Sequence, residues 1–138
     1  MEDLYISDYQ ALGQFRYQIR RFLHFSEGAA RSEGLEPQQH QMMLAIRAWN
    51  EADPPTIGAL AEHLLLKHHS AVGLVDRLAE HGLVERVRGA EDRRQVRVRL
   101  LPQGLDKLRR LAGIHREELR TSGPILVDAL SALLQRLP

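Results

Sequence analysis

Six arginines stand at positions 86, 88, 93, 94, 97 and 99, and the only acids between the first and the last are Glu91 and Asp92. A planar guanidinium donates in a fork that suits phosphate oxygens, and it inserts readily into a narrow, strongly negative minor groove. A second cluster precedes it. Lys67, His68 and His69 are followed by Ser70, Gly73 and Arg77, spaced i, i+3 and i+7, so the last three share one helical face. Small polar donors on a helix match the chemistry of base edges, which the major groove displays in an unambiguous pattern. Catalytic constellations are not found: there is no Gly-rich phosphate loop, no H-E-x-x-H and no G-x-S-x-G elbow. The expectation is a binding protein without a cofactor rather than an enzyme.

These clusters sit in a chain of 138 residues, 43% hydrophobic and 27% charged, with a formal net charge of +1. That is the size and composition of one globular domain. The overall charge is too small to announce a polyanionic partner, so the local charge must carry that argument. No apolar run approaches a membrane span, and the start Met1-Glu2-Asp3 lacks the basic-then-apolar pattern of a signal peptide, so a cytoplasmic protein is expected. Zero cysteines exclude disulfides, thiolate zinc sites and Cys-based redox sensing.

The elements that must position the clusters are legible from periodicity. Residues 8–33 read as a long helix with Leu12, Phe15, Ile19, Phe22 and Phe25 or Ser26 on one face, ended by Gly34. Pro37 opens a second helix to about residue 50, carrying Met43, Leu44, Ile46 and Trp49. The prolines at 54 and 55 break the chain, and Thr56 caps a short helix with Ile57, Leu60, Ala61 and Leu64 inward. After a tight join at Leu65-Leu66 a helix from His68 to His81 buries Ala71, Leu74, Val75 and Leu78 and stops at Gly82. Two helices with a tight join suggest helix-turn-helix.

The period then changes to two. Val84 and Val87 alternate with arginines, and in 95–100 the valines and Leu100 face away from Arg97 and Arg99, which makes a hairpin with a polar loop over 89–94. Pro102 opens a long helix with Leu105, Leu108, Leu111 or Ala112, His115 and Leu119. Gly123-Pro124 is expected to break it before a last helix with Ile125, Leu126, Ala129, Leu130, Leu133 and Leu137. The fold expected is mainly α with a small β-hairpin wing: a winged helix-turn-helix over 37–101, with helices over 1–36 and 102–138 for dimerisation.

In such a fold the second helix fits the major groove and the wing tip, Arg93 and Arg94, reaches phosphates or the minor groove. A face with Ser, Gly and Arg is often only solvated, and an Arg-rich hairpin often only protects a sheet edge. Helix-turn-helix, wing and local charge in this order favour double-stranded DNA. A winged helix used only for protein contacts would expose apolar or aromatic anchors instead.

Asp92-Arg93-Arg94 followed by Val98, Leu100 and Gly104 is similar to the wing signature of the MarR family of bacterial transcription regulators. Leu60-Ala61-Glu62, the run Leu74 to Leu78 and Gly82-Leu83-Val84 resemble that family's helix-turn-helix, and the chain resembles the family over essentially its whole length. It implies a homodimer held by interlocked first and last helices on a pseudo-palindromic operator, read as a repressor. It further implies release of DNA by a small, often aromatic anion, as in many members. Three positions depart from the family. Leu101 replaces a capping threonine, Leu65 replaces the glycine of the turn, and Gly73 stands where several relatives have an arginine. The absence of cysteine excludes the peroxide-sensing branch.

Seven histidines invite a metal-responsive reading of the same fold. His63, His68 and His69 lie in the DNA-reading part, and His24, His40 and His115 sit on three different helices, so no metal site is expected. Phe15, Phe22, Phe25 and Trp49 read first as core or dimer-interface residues. Tyr17, Arg20, His24 and Trp49 are the candidate lining of an effector pocket.

Overall fold

The computed structural model describes residues 3–89 and 91–137. The expectations that touch Met1, Glu2, Ala90 and Pro138 lie outside the described residues. The order is α1 (Ile6–Ser32), α2 (Pro37–Ala48), α3 (Ile57–His63), α4 (His68–Glu80), β1 (Val84–Arg88), β2 (Val96–Leu100) and α5 (Pro102–Leu134). They form two compact units, a helical one from residues 3–29 and 112–137 and a winged one from Ala30–Leu111.

In the helical unit α1 starts on a reciprocal cap. The Tyr5 N–H donates to Asp8 Oδ2 at 2.8 Å and the Asp8 N–H to the Tyr5 carbonyl at 2.9 Å. Arg136 reaches the same carboxylate at 3.1 Å and Ser7 Oγ at 3.0 Å. The Tyr5 N–H first, and Arg136 after it, hold the Asp8 carboxyl below its ordinary 3.8. A depressed folded value means that this tie contributes fully above the unfolded value and is lost as pH falls through the folded one.

The buried stripe of α1 includes polar Gln18 and Ser26, while Leu12, expected inward, is exposed. Ser26 is buried because its hydroxyl meets His115 Nε2 of α5 at 2.8 Å, with the Phe22 and Phe25 ring edges on the same imidazole at 6.0 and 5.7 Å between centroids.

The expected break at Gly123-Pro124 does not occur: α5 is one helix through Pro124. Proline removes the hydrogen bond to the Arg120 carbonyl but leaves the rest of a 33-residue helix intact. Just before it, the Thr121 and Ser122 hydroxyls both donate to the Glu118 carbonyl, at 3.2 and 3.0 Å, giving this stretch side-chain bonds of its own.

In the winged unit Gly34, with a φ of 77°, turns the chain out of α1. The Leu35 N–H returns to the Ala30 carbonyl at 3.0 Å. Pro37 then opens α2 behind a capping box in which the Glu36 N–H donates to Gln39 Oε1 at 2.8 Å. Met42, Met43, Leu60, Ala71, Leu74, Val75, Leu78, Val84 and Val98 form the core. All four residues expected inward on α4 are buried; on α2 Met43 is buried as expected, Met42 is fully buried beside it, and Leu44 faces out.

Strands β1 and β2 pair antiparallel, with Val84 opposite Leu100, Arg86 opposite Val98 and Val87 opposite Arg97. Val84 and Val87, three residues apart, therefore lie on opposite faces of the ribbon. Thr56 bridges to Arg97, and the Val98 N–H donates to the Pro55 carbonyl at 2.9 Å, so the residues ahead of α3 run along β2.

At the helix-turn-helix join Leu65 has φ 57° and its side chain is 92% exposed. The left-handed conformation costs an L-residue about 1–2 kcal/mol, and this side chain recovers little by burial. Leu65→Gly is therefore expected to stabilise the protein by about 0.5–1 kcal/mol, glycine's extra chain entropy offsetting part of the relief. Thermal unfolding should show Tm raised by about 2–4 °C; an unchanged or lower Tm would refute the strain at this turn.

Candidate nucleic-acid interface

Helix α4 owes its seating to the buried stripe Ala71–Leu74–Val75–Leu78, which leaves its other side to solvent. His68, His69 and Arg77 are exposed there, and Ser70 and Gly73 are half-buried beside them. Exposed Lys67 occupies the N-cap with extended backbone and makes no side-chain cap bond. The first backbone N–H groups of α4 thus point outward beside a lysine and two imidazoles, an arrangement that favours an anion. A methyl on Gly73 would sit 3.5 Å from Arg77 Nη1, so the guanidinium lies along the helix over the glycine.

The wing tip is organised by Asp92. Its carboxylate accepts the Arg94 N–H at 3.0 Å, and its carbonyl accepts the Gln95 N–H at 3.1 Å. Gly89 is required here, because a Cβ would stand 2.6 Å from the Asp92 carbonyl oxygen. Arg94 reaches the Asp92 carboxylate only at 3.3 Å and its side chain is 93% exposed. Arg93 is exposed and makes no ion pair among the described residues, while Arg88 donates to the Arg93 carbonyl at 3.1 Å.

Farther from the tip the charge is already answered. Arg86 pairs with Asp76 of α4, Arg99 with Glu85 across the hairpin at 2.5 Å, and Arg97 with Asp53 at 2.9 Å. The arginine-rich stretch thus keeps its outward cations at the tip, while Arg86, Arg97 and Arg99 on the stem are neutralised by acids from outside the 86–99 segment. Glu85 opposite Arg99 follows from the hairpin register, whereas Asp53 has no local sequence signal.

The expected effector residues divide. Tyr17, Arg20 and His24 line one groove of about 370 Å³ in the helical unit, floored by Phe22, Phe25 and Leu126. Trp49 is not among its lining; it belongs to the winged unit, where its ring meets His63 edge-on at 5.8 Å. Among the described residues no three His, Asp or Glu side chains are grouped to hold a metal ion. No helix of the described residues is long and apolar enough to cross a membrane.

Two helices with a tight join, the second followed by a β-ribbon with a basic tip, define a winged helix-turn-helix protein. Residues 33–95 match a model of the MarR family. The uncharacterized HTH-type transcriptional regulator YsmB of Bacillus subtilis is 33% identical over 81 residues. That match spans 59% of this chain and 56% of YsmB, little more than half of the relative's length. Among solved structures, the MarR family transcriptional regulator AbsC of Streptomyces coelicolor superposes with a TM-score of 0.74 at 20% identity, covering 88% of this chain and 82% of AbsC. MepR of Staphylococcus aureus, a transcription regulator of the multidrug efflux pump MepA, gives 0.77 at 17% identity, with 90% and 96% covered. A MepR mutant bound to an oligodeoxyribonucleotide gives 0.68 at 18% identity, with 99% and 86% covered.

Proposed function

We propose that this protein is a DNA-binding transcriptional repressor that acts as a homodimer on a pseudo-palindromic operator. The observation that carries the reading is the pairing of an exposed α4 N-terminus, Lys67 to Ser70, with a wing whose outward cations, Arg93 and Arg94, cluster at its tip. Lys67, His68, His69, Ser70, Gly73 and Arg77 face the major groove in this reading, and the wing tip takes phosphates or the minor groove. A MarR-fold relative bound to an oligodeoxyribonucleotide supports it.

The homodimer accounts for the helical unit. Leu4, Tyr5, Ile6 and Tyr9 near its start and Ile125, Val127 and Leu134 near its end are exposed, more large apolar side chains than a small monomer ordinarily leaves in water. A twofold copy covers such surface and sets two recognition helices about 34 Å apart, one DNA turn. The groove beside Tyr17, Arg20 and His24 is the proposed seat of a small aromatic anion that releases DNA, with Arg20 and His24 facing the charge.

The test is a gel shift on the DNA flanking the gene, followed by selection from a randomised operator library. His69→Ala and Ser70→Ala are expected to change which operator positions matter, each altered position being worth about 1–3 kcal/mol. Variants that keep the parent's preference across the library would remove α4 from the reading role.

A further inference from the structure

Arg97 is the hairpin arginine whose bonds leave the hairpin for the loop ahead of α3. Its Nη1 donates to the Pro54 carbonyl at 2.5 Å and lies 2.9 Å from Asp53 Oδ1, while Nη2 donates to Gln95 Oε1 at 2.8 Å. The side chain is 20% exposed, so both terminal nitrogens are spent on protein acceptors inside a partly closed site. Those acceptors belong to two segments more than forty positions apart: Asp53 and Pro54 lead into the Thr56 cap of α3, and Gln95 closes the wing loop.

We propose that Arg97 is the positioning residue of the wing, a role that rests on the DNA-binding reading above. Its fork locks the base of β2 to the loop that starts the helix-turn-helix, and so fixes where Arg93 and Arg94 stand relative to α4. The backbone links on either side, Thr56 to Arg97 and Val98 to Pro55, hold the strand but leave the tip beyond Val96 to be aimed by side chains. A lysine could not replace this fork, because one ammonium on a flexible stem cannot span three acceptors in a plane.

The sign of a charge change separates positioning from contact. Asp53→Asn removes a negative charge, which on electrostatic grounds alone strengthens DNA binding. Positioning requires the opposite: Asp53→Asn and Arg97→Leu should each weaken operator binding by about tenfold, as expected for a charge-assisted bond, with the salt slope unchanged. Arg97→Lys should fall between Arg97→Leu and the parent.

Trypsin supplies a readout without DNA, since Arg93 and Arg94 are its sites. In Asp53→Asn, an exposed and conservative change, cleavage there should accelerate about tenfold while Tm stays within about 2 °C of the parent. Asp53→Asn binding DNA as tightly as the parent, or Arg97→Leu lowering the salt slope by about 0.9, the mark of a direct phosphate contact, would overturn the proposal. A parent that binds no DNA overturns the DNA-binding reading and the role with it, whereas unaccelerated cleavage in Asp53→Asn overturns the anchoring by itself.

Discussion

Alanine at both Arg93 and Arg94 is expected to weaken binding to every DNA sequence and to flatten its salt dependence. Each phosphate neutralised contributes about −0.9 to the slope of log K against log salt, so losing two contacts reduces the slope's magnitude by about 1.8. Extrapolated from molar salt to about 0.15 M, that difference corresponds to roughly thirtyfold in affinity. The effect is expected at contacts with DNA because, among the described residues, the Arg94 side chain bonds only to Asp92, and Arg93 offers only its carbonyl, to Arg88. Titration by fluorescence anisotropy at four or more salt concentrations checks it. A folded double variant with the parent's slope would show that the wing tip does not meet phosphate.

Gly104→Ala is expected to lower stability by about 3 kcal/mol, at the upper end for overpacking, because the obstruction is backbone. A Cβ on Gly104 would stand 2.2 Å from the Leu83 carbonyl oxygen and 3.1 Å from its carbon. That oxygen cannot retreat without loss, since it also accepts the Leu101 N–H at 2.9 Å at the start of α5. Relief requires α5 to back away from the α4–β1 corner, opening the core beside Val84 and Leu108. Thermal unfolding should place Tm about 10 °C below the parent, while Gly113→Ala, where no atom lies within 4 Å of the added methyl, serves as the control and leaves Tm unchanged or higher. A Gly104→Ala protein as stable as the parent would contradict the close approach.

Much of this architecture is legible in the chain because local physics and tertiary packing agree there. The α4 stripe, the Thr56 cap, the Gly34 and Gly82 turns and the 84–100 hairpin each follow from residue types at fixed offsets. Gly104 shows its reason only in three dimensions, although its place in a family signature marks it. The failures have identifiable causes. Gly123-Pro124 reads as a stop, but one missing N–H inside a long helix is a small loss and the neighbouring hydroxyls add bonds of their own. Leu44 and Met42 exchange places because a run of apolar residues on α2 leaves the phase of its stripe open. Of the proposed DNA-facing residues, the sequence placed Lys67 to Ser70 and the wing tip on the elements they occupy, and it placed Tyr17, Arg20 and His24 near one another. Trp49 was beyond its reach, since nothing local says that this residue, the C-cap of α2, meets His63 of α3.

The neutralised stem of the wing bears on how such a protein finds its site. In the proposed DNA-binding reading, a regulator meets its site among a vast excess of other DNA, and every free cation lengthens its stay at each wrong position. With Arg86, Arg97 and Arg99 held by Asp76, Asp53 and Glu85, the ribbon keeps the stiffness of an arginine-rich strand pair without its full adhesion to polyanions. In that reading, time lost in unproductive encounters falls accordingly, and more of the total binding energy is left to the base edges that α4 is proposed to face.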